Sequence, residues 1–195
     1  RYFPTDDDID KMAECLNDAY KSVDYPLTHY FLKKQYIDEK LLKFWKTTIL
    51  ALKDEALFIC DSPDIKGVSV WLMEGFKGNR FLPFVLNGAY NFSIDSWYRM
   101  MIYENYSMKL KYKYTKHNSW YFYNVGERKE FQHRGVFKQM VNPVLEYLNS
   151  VKKGCYLETH TEVNNKIYQK LGFELMEIGK VPLSDLNHYA FYKNL

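Results

Sequence analysis

Apolar residues recur at helical spacing from the beginning of the chain. Between Thr5 and Tyr20 they fall at Ile9, Met12, Ala13, Leu16, Ala19 and Tyr20, the pattern of one buried helix face. Thr5 with Asp8 three residues later resembles a capping box, and the acidic first turn suits the positive end of the helix dipole. The Tyr25-Pro26 step breaks this helix, because the residue before a proline is driven out of the helical region, and a short helix through Phe31 is expected next. Asp38 to Lys53 predicts another helix with Leu41, Leu42, Trp45, Ile49 and Leu52 on one side. The N-terminal third reads as α-rich.

The period then shortens. ALFICD (Ala56 to Asp61) and IKGVSVWLME (Ile65 to Glu74) are rich in β-branched and aromatic residues and are separated by Ser62, Pro63 and Asp64, which predicts a hairpin. Arg80 to His117 holds Pro83, Gly88 and helical spacing at Ile94, Trp97, Tyr98 and Met101, so one or two helices are expected there. SWYFYNV (Ser119 to Val125) is a continuous aromatic strand. After the loop QHRGVF comes a helix with Val136, Phe137, Met140, Val141, Val144, Leu145 and Leu148 on its apolar face, ended by Gly154. CYLETH (Cys155 to His160) is the next strand, and a helix from Glu162 to Leu171 is closed by Gly172 as the residue after its C-cap. ELMEIGKV and HYAFYKN give two further strands. A strand joined to another through a helix pairs in parallel, so residues 119 to 160 predict a β–α–β core, and the hairpins make the rest of the sheet antiparallel. Helices are expected on both faces of this mixed sheet. Pro143 lies about two turns inside its helix, deletes the bond to the Gln139 carbonyl and is expected to kink the axis as a structural bend.

Composition narrows the function. A length of 195 residues lies at the upper end of a single domain, and no apolar run reaches membrane-spanning length. With 27 basic and 24 acidic residues, a net charge of +3 implies no polyanion partner without a local cluster. The run Met108 to His117 interleaves lysine and tyrosine, and a solvated helix end is favoured for it over a nucleic-acid surface. Cys15, Cys60 and Cys155 form no paired spacing, so a reducing cytoplasmic setting is expected. The histidines show no HxxxH or HxH pairing, and no metal is expected. There is no GxSxG elbow, and Cys155 reads as a buried strand residue rather than a nucleophile.

The order strand, Gln132-x-x-Gly135-x-Phe137, helix, strand, Asn164-x-x-x-Tyr168 and Lys170-Leu171-Gly172-Phe173 resembles the GCN5-related N-acetyltransferases (GNAT). YLET (Tyr156 to Thr159) and Asn142-Pro143-Val144-Leu145-Glu146 are similar to the branch that includes puromycin N-acetyltransferase. The likeness is specific from Trp120 to Phe173. It implies an α/β fold with a GNAT-like mixed, mostly antiparallel sheet, helices on both faces and a central β–α–β core. It also implies one domain over 1–195, with 81–118 a helical insertion bordering the acceptor site and 119–173 the cofactor-binding core. Within the insertion, Trp97, Tyr98 and Tyr103 are candidates to face the acceptor.

The implied activity is movement of an acetyl group from acetyl-CoA directly to a small primary amine. The competing implications are a degenerate module of this fold that binds coenzyme A or a partner without turnover, and an acyltransferase that meets nucleic acid through the basic run. By resemblance, Gln132, His133, Arg134, Gly135, Val136, Phe137 and Lys138 carry the pyrophosphate, on backbone N–H groups that a helix start leaves unpaired. Val125, Gly126 and Glu127 contact the pantetheine arm and acetyl carbonyl, and Asn164 reaches the cofactor through its amide. Tyr168 falls on the general acid. Glu158 leads as base, expected to be partly desolvated with a raised pKa, with Glu74 or a water chain through Tyr123 as the alternatives. Two positions depart from the family pattern: its second small residue falls on Phe137, expected to be the first core residue of the helix, and its proline on Lys129.

Overall fold

The computed structural model describes residues 4–33, 37–76, 81–115 and 119–195; Arg80, Lys116 and His117, used in the sequence readings above, lie outside them. Helix α1 (Asp6–Ser22) starts with the expected capping box, the Thr5 hydroxyl accepting the Asp8 N–H at 3.2 Å and the Asp8 carboxylate accepting the Thr5 N–H at 2.8 Å. Pro26 occupies the first turn of α2 (Pro26–Leu32), where its missing N–H costs nothing. Then come α3 (Asp38–Leu52), the hairpin strands β1 (Ala56–Cys60) and β2 (Gly67–Leu72), α4 (Phe81–Leu86) and α5 (Ile94–Tyr114). The C-terminal half is β3 (Trp120–Glu127), α6 (Val136–Ser150), β4 (Cys155–Thr159), α7 (Glu162–Lys170), β5 (Glu174–Lys180) and β6 (Asn187–Lys193).

The six strands form one sheet in the order β1-β2-β3-β4-β6-β5, with β3 and β4 parallel and every other pair antiparallel. This is the expected mixed sheet, and alternation along the strands builds a core on each face. Val68, Val70, Leu72, Tyr121 and Tyr156 pack with α1, α3 and α5. Trp71, Phe122, Leu157 and Phe191 pack with α6 and Tyr168 of α7, and Trp71 stacks on Phe122 with ring centroids 4.1 Å apart. Gly172 ends α7 at φ +81° and allows the Phe173 N–H to reach back to the Tyr168 carbonyl at 3.1 Å. Pro143 sits on the exposed side of α6, which continues past it to Ser150.

One helix face differs from its pattern. In α5 the apolar series Ile94, Tyr98 and Met101 is exposed, Ile94 at 88%, while the buried residues include Ser96, Tyr103, Ser107, Met108 and Leu110. Met101 borders a large cavity and Trp97 packs edge-on against Phe84 at its wall, whereas Ile94 and Tyr98 line neither cavity nor core.

Helix α1 crosses β3 at Gly126 so closely that an added Cβ would stand 2.9 Å from the Ala19 Cβ and 3.0 Å from the Leu16 side chain. Gly126→Ala is therefore expected to destabilise the protein by about 1–3 kcal/mol, seen as a lower denaturation midpoint at unchanged slope.

Candidate active site

The parallel strands β3 and β4 are paired only from Trp120–Cys155 to Phe122–Leu157, yet β3 runs on to Glu127 and β4 to Thr159. A register shift against β2, between Val70 and Trp71, leaves Tyr123 as the extra residue of a bulge where the two strands part. A cavity of about 1190 Å³ opens from this cleft. The sheet and the loop before α6 supply one part of its wall, and α1, α2, α3 and α5 supply an aromatic part that includes Tyr25, Phe31, Trp45, Trp97 and Tyr103. All the sequence-selected site residues line this cavity except Arg134 and Val136. Trp97 and Tyr103 also line it, whereas Tyr98 is exposed elsewhere.

The loop before α6 turns through two left-handed residues, His133 at φ +64° and Gly135 at φ +88°. Nothing lies within 4 Å of where a Gly135 Cβ would stand, so the glycine serves the backbone turn and leaves open space above it. Among the described residues, no hydrogen bond engages the N–H groups of Gly135, Val136 or Lys138. The next donor is already used: the Phe137 N–H is capped by the Glu127 carboxylate. Burial raises the pKa of Glu127, and the Phe137 N–H pulls it back. Gln132 serves the framework, its amide donating to the Ser22 hydroxyl at 3.1 Å and the Glu127 carbonyl at 3.3 Å. Val136 is the first core residue of α6, and Phe137, expected in that role, is only half-buried and faces the cavity. Arg134 lies over the Phe131 ring at 5.7 Å instead of facing the cleft. The N–H of Val125 is turned toward the Tyr20 hydroxyl, which in turn donates to Asn124 at 3.0 Å.

Glu158 occupies the middle of the cleft, and its side chain is only 5% exposed. The hydroxyls of Tyr121 and Ser107 donate to it through short hydrogen bonds, Tyr103 donates at 3.1 Å and Tyr156 at 3.2 Å, and His188 Nε2 stands 2.9 Å from its second oxygen. Burial pushes its pKa up, but the attraction of a charged His188 and the hydrogen bonds of its neighbours outweigh that and bring it down to about 2. This overturns the expected raised pKa. Glu158 is a firmly ionised carboxylate and a poor proton acceptor. Three of its partners, Tyr103, Ser107 and His188, come from α5 and β6, which residues 119–173 do not contain. His160, at the end of β4, also lines the cavity; burial, reinforced by His188, drops its pKa to about 3, so it stays neutral.

Tyr168 projects from α7 between Phe122, Phe173 and Phe191, and among the described residues its hydroxyl has no hydrogen-bond partner. Burial raises its pKa, which keeps the phenol protonated. Asn164 and Tyr168 both lie close enough to the Tyr25 hydroxyl to influence it. Glu74 is excluded as a base by position, because it pairs with Lys153 outside the cavity. In the basic run, Lys113 is matched by Glu177 at 2.7 Å and Lys111 is buried, so no cationic face is presented by these two residues. Among the described residues, no group of His, Cys, Asp and Glu has an arrangement that would hold a metal, and no helix is long and apolar enough to cross a membrane.

No protein-family profile matches the sequence, and no curated protein does. Solved structures match along the whole chain. A Corynebacterium glutamicum protein described as a histone acetyltransferase and related acetyltransferase superposes with TM-score 0.66 at 17% identity, over 99% of this chain and 94% of that one. A protein from Desulfovibrio desulfuricans assigned to the GNAT family does so with TM-score 0.54 at 9% identity, over 97% and 94%. The PaiA N-acetyltransferase of Thermoplasma acidophilum, solved with coenzyme A, gives 0.54 at 13% identity, over 100% and 97%. At such identities the likeness is one of fold: the chain has the GNAT acetyltransferase fold, with its mixed six-stranded sheet and parallel β3–β4 core.

The buried acid–base groups make stability depend on pH in one direction. His160 binds a proton less readily folded than unfolded, so its contribution is lost as pH falls from its ordinary value of 6.5 toward about 3. Glu158, depressed to about 2, adds a loss that begins below its ordinary 4.5. Melting temperature is therefore expected to fall steadily from neutral pH to pH 3 or so, and His160→Gln to flatten the upper part of that fall.

Proposed function

We propose that the protein is an acetyl-coenzyme A-dependent N-acetyltransferase acting on a primary amine carried by an apolar body, akin to the puromycin N-acetyltransferase branch. The observation that carries this reading is the cleft between β3 and β4. Unengaged helix-start donors, a protonated buried phenol and an ionised carboxylate all meet in one cavity there. The donors fit a pyrophosphate: Gly135, Val136 and Lys138 offer N–H groups at the positive end of α6, beside the Lys138 ammonium. The bulged, unpaired edge of β3 fits an extended arm that pairs with backbone.

Acetyl-CoA supplies an activated acyl carbon and a thiolate leaving group. Tyr168 holds its proton where a departing sulfur would need one. Glu158 is anchored too firmly to take the amine proton itself and acts as the fixed negative charge that favours proton movement away from the amine. The aromatic wall sets the acceptor class. Phe31, Phe44, Trp45, Phe84, Trp97 and Met100 offer little to an extended polycation and much to a ring or branched alkyl group.

Two outcomes test this reading. In an amine panel monitored by free thiol, arylalkyl and alkyl amines are expected to exceed agmatine or spermidine by about ten- to a hundredfold in kcat/KM, the worth of burying one large apolar group at about 1.5–3 kcal/mol. Calorimetric binding of acetyl-CoA with no thiol release on any amine would instead identify a non-catalytic binding module. Tyr168→Phe is expected to lower kcat about a hundredfold with acetyl-CoA affinity retained; wild-type turnover in that variant removes the acid assignment.

A further inference from the structure

The antiparallel register of β4 and β6 pairs Thr159 with Tyr189, and the following rung sets His160 opposite His188. Residues two apart on a strand share a face, so Glu158 and His160 project to the same side, where α5 covers them with Tyr103, Tyr106 and Ser107. Three contacts then join into one line. The Tyr25 hydroxyl is 3.2 Å from His160 Nδ1, His160 Nε2 is 3.1 Å from His188 Nδ1, and His188 Nε2 is 2.9 Å from Glu158 Oε2. Tyr25 and His160 line the cavity, whereas His188 is 0% exposed. The line therefore runs from the cavity wall to a carboxylate inside the sheet. An imidazole pair in so dry a place is costly unless its ring nitrogens are satisfied: three of the four are hydrogen-bonded, and His188 Nε2, which has no hydrogen bond, faces the Glu158 carboxylate at ion-pair distance.

We propose that Tyr25, His160 and His188 form a proton wire that removes the proton an acceptor ammonium must lose before it can attack, an inference that rests on the N-acetyltransferase reading. Before transfer, Tyr25 donates to His160 Nδ1, His160 Nε2–H donates to His188 Nδ1, and His188 carries its hydrogen on Nε2 facing Glu158. The Tyr25 oxygen then takes one proton from R–NH3+, leaving R–NH2. Its own proton passes to His160 Nδ1, and the hydrogen on His160 Nε2 passes to His188 Nδ1. No bond between heavy atoms changes. The positive charge leaves the amine and ends as an imidazolium beside the Glu158 carboxylate, and the reverse sequence returns the proton once product has left.

Both polarities keep the chain hydrogen-bonded. After transfer the Tyr25 oxygen accepts from His160 Nδ1–H and from the His160 backbone N–H at 3.2 Å, and its hydrogen turns to Thr159 Oγ1 at 3.2 Å. Tyr103, 3.1 Å from Glu158 and 3.2 Å from His160 Nε2, keeps donating to the carboxylate throughout. Glu158, His160, Tyr103 and Tyr106 face His188 directly, and the charge of Glu177 reaches it from β5, where that carboxylate is bound to Lys113 and Tyr114. With His188 charged, the state after transfer, its attraction helps hold Glu158 ionised and its repulsion helps hold His160 neutral.

Nitrogen-15 NMR of the histidines in the intact protein, titrated from about pH 5 to 9, tests the wire without turnover. The expected result is that His188 gains its second proton in the same step in which His160 moves its hydrogen from Nε2 to Nδ1, and that His188→Gln abolishes the tautomer change. A His160 that keeps one tautomer throughout, or two rings that titrate independently, overturns the proposal. In turnover, Tyr25→Phe is expected to lower kcat about a hundredfold with KM for the amine unchanged and the protein still folded by its melting curve; an unaltered kcat also overturns it. A wild-type protein that releases no thiol with any amine strikes the proposed function, and the NMR titration still decides whether the wire exists.

Discussion

An ionised carboxylate inside a sheet dictates much of the architecture around it. Glu158 is buried in β4, where an unpaired charge would be strongly destabilising, so each neighbouring element contributes a donor. Helix α5 lies across the sheet with Tyr103 and Ser107 over it, β3 brings Tyr121, β4 itself brings Tyr156, and β6 must hold a register that places His188 alongside. Elements far apart in sequence are thereby tied to one point. Removing any one donor leaves a charge the rest must still solvate, so the arrangement specifies geometry more than it adds net stability.

The same point divides the cleft by chemistry. On the loop side are backbone donors with positive character at the start of α6, and on the α1–α5 side are rings and thioethers. Between them stand Glu158, His160 and Tyr168, each kept by burial and its neighbours in one protonation state. The parting of β3 from β4 is what makes room for this order, because two strands paired to their ends would leave no backbone available and no cavity.

How much of this could be read beforehand follows the range of each signal. The β3–α6–β4–α7 run was legible because its cues are local: an aromatic strand, one glycine at a left-handed turn, a helical apolar period and a C-terminal glycine. The helices of the first third were legible from periodicity and a capping box. At Trp97 and Met101, α5 misled because a helix bordering a cavity displays the same apolar spacing as one bordering a core. The sign of the Glu158 shift was out of reach, since it depends on Ser107 and His188, dozens of residues away in either case. The facing of His160 and His188 was likewise hidden, because spacing along a chain says nothing about rungs between strands. The two strands themselves were expected; only their register could have revealed the pair.

The Glu127 carboxylate on the Phe137 N–H is tethered by its own strand, so it faces that donor at a high effective concentration. Any anion that comes to α6 therefore exchanges with a resident one instead of filling a gap. A small monovalent ion gains little by the exchange. A diphosphate that reaches Gly135, Val136 and Lys138 together gains several donors for the one contested. At a helix start guarded in this way, valence counts before shape.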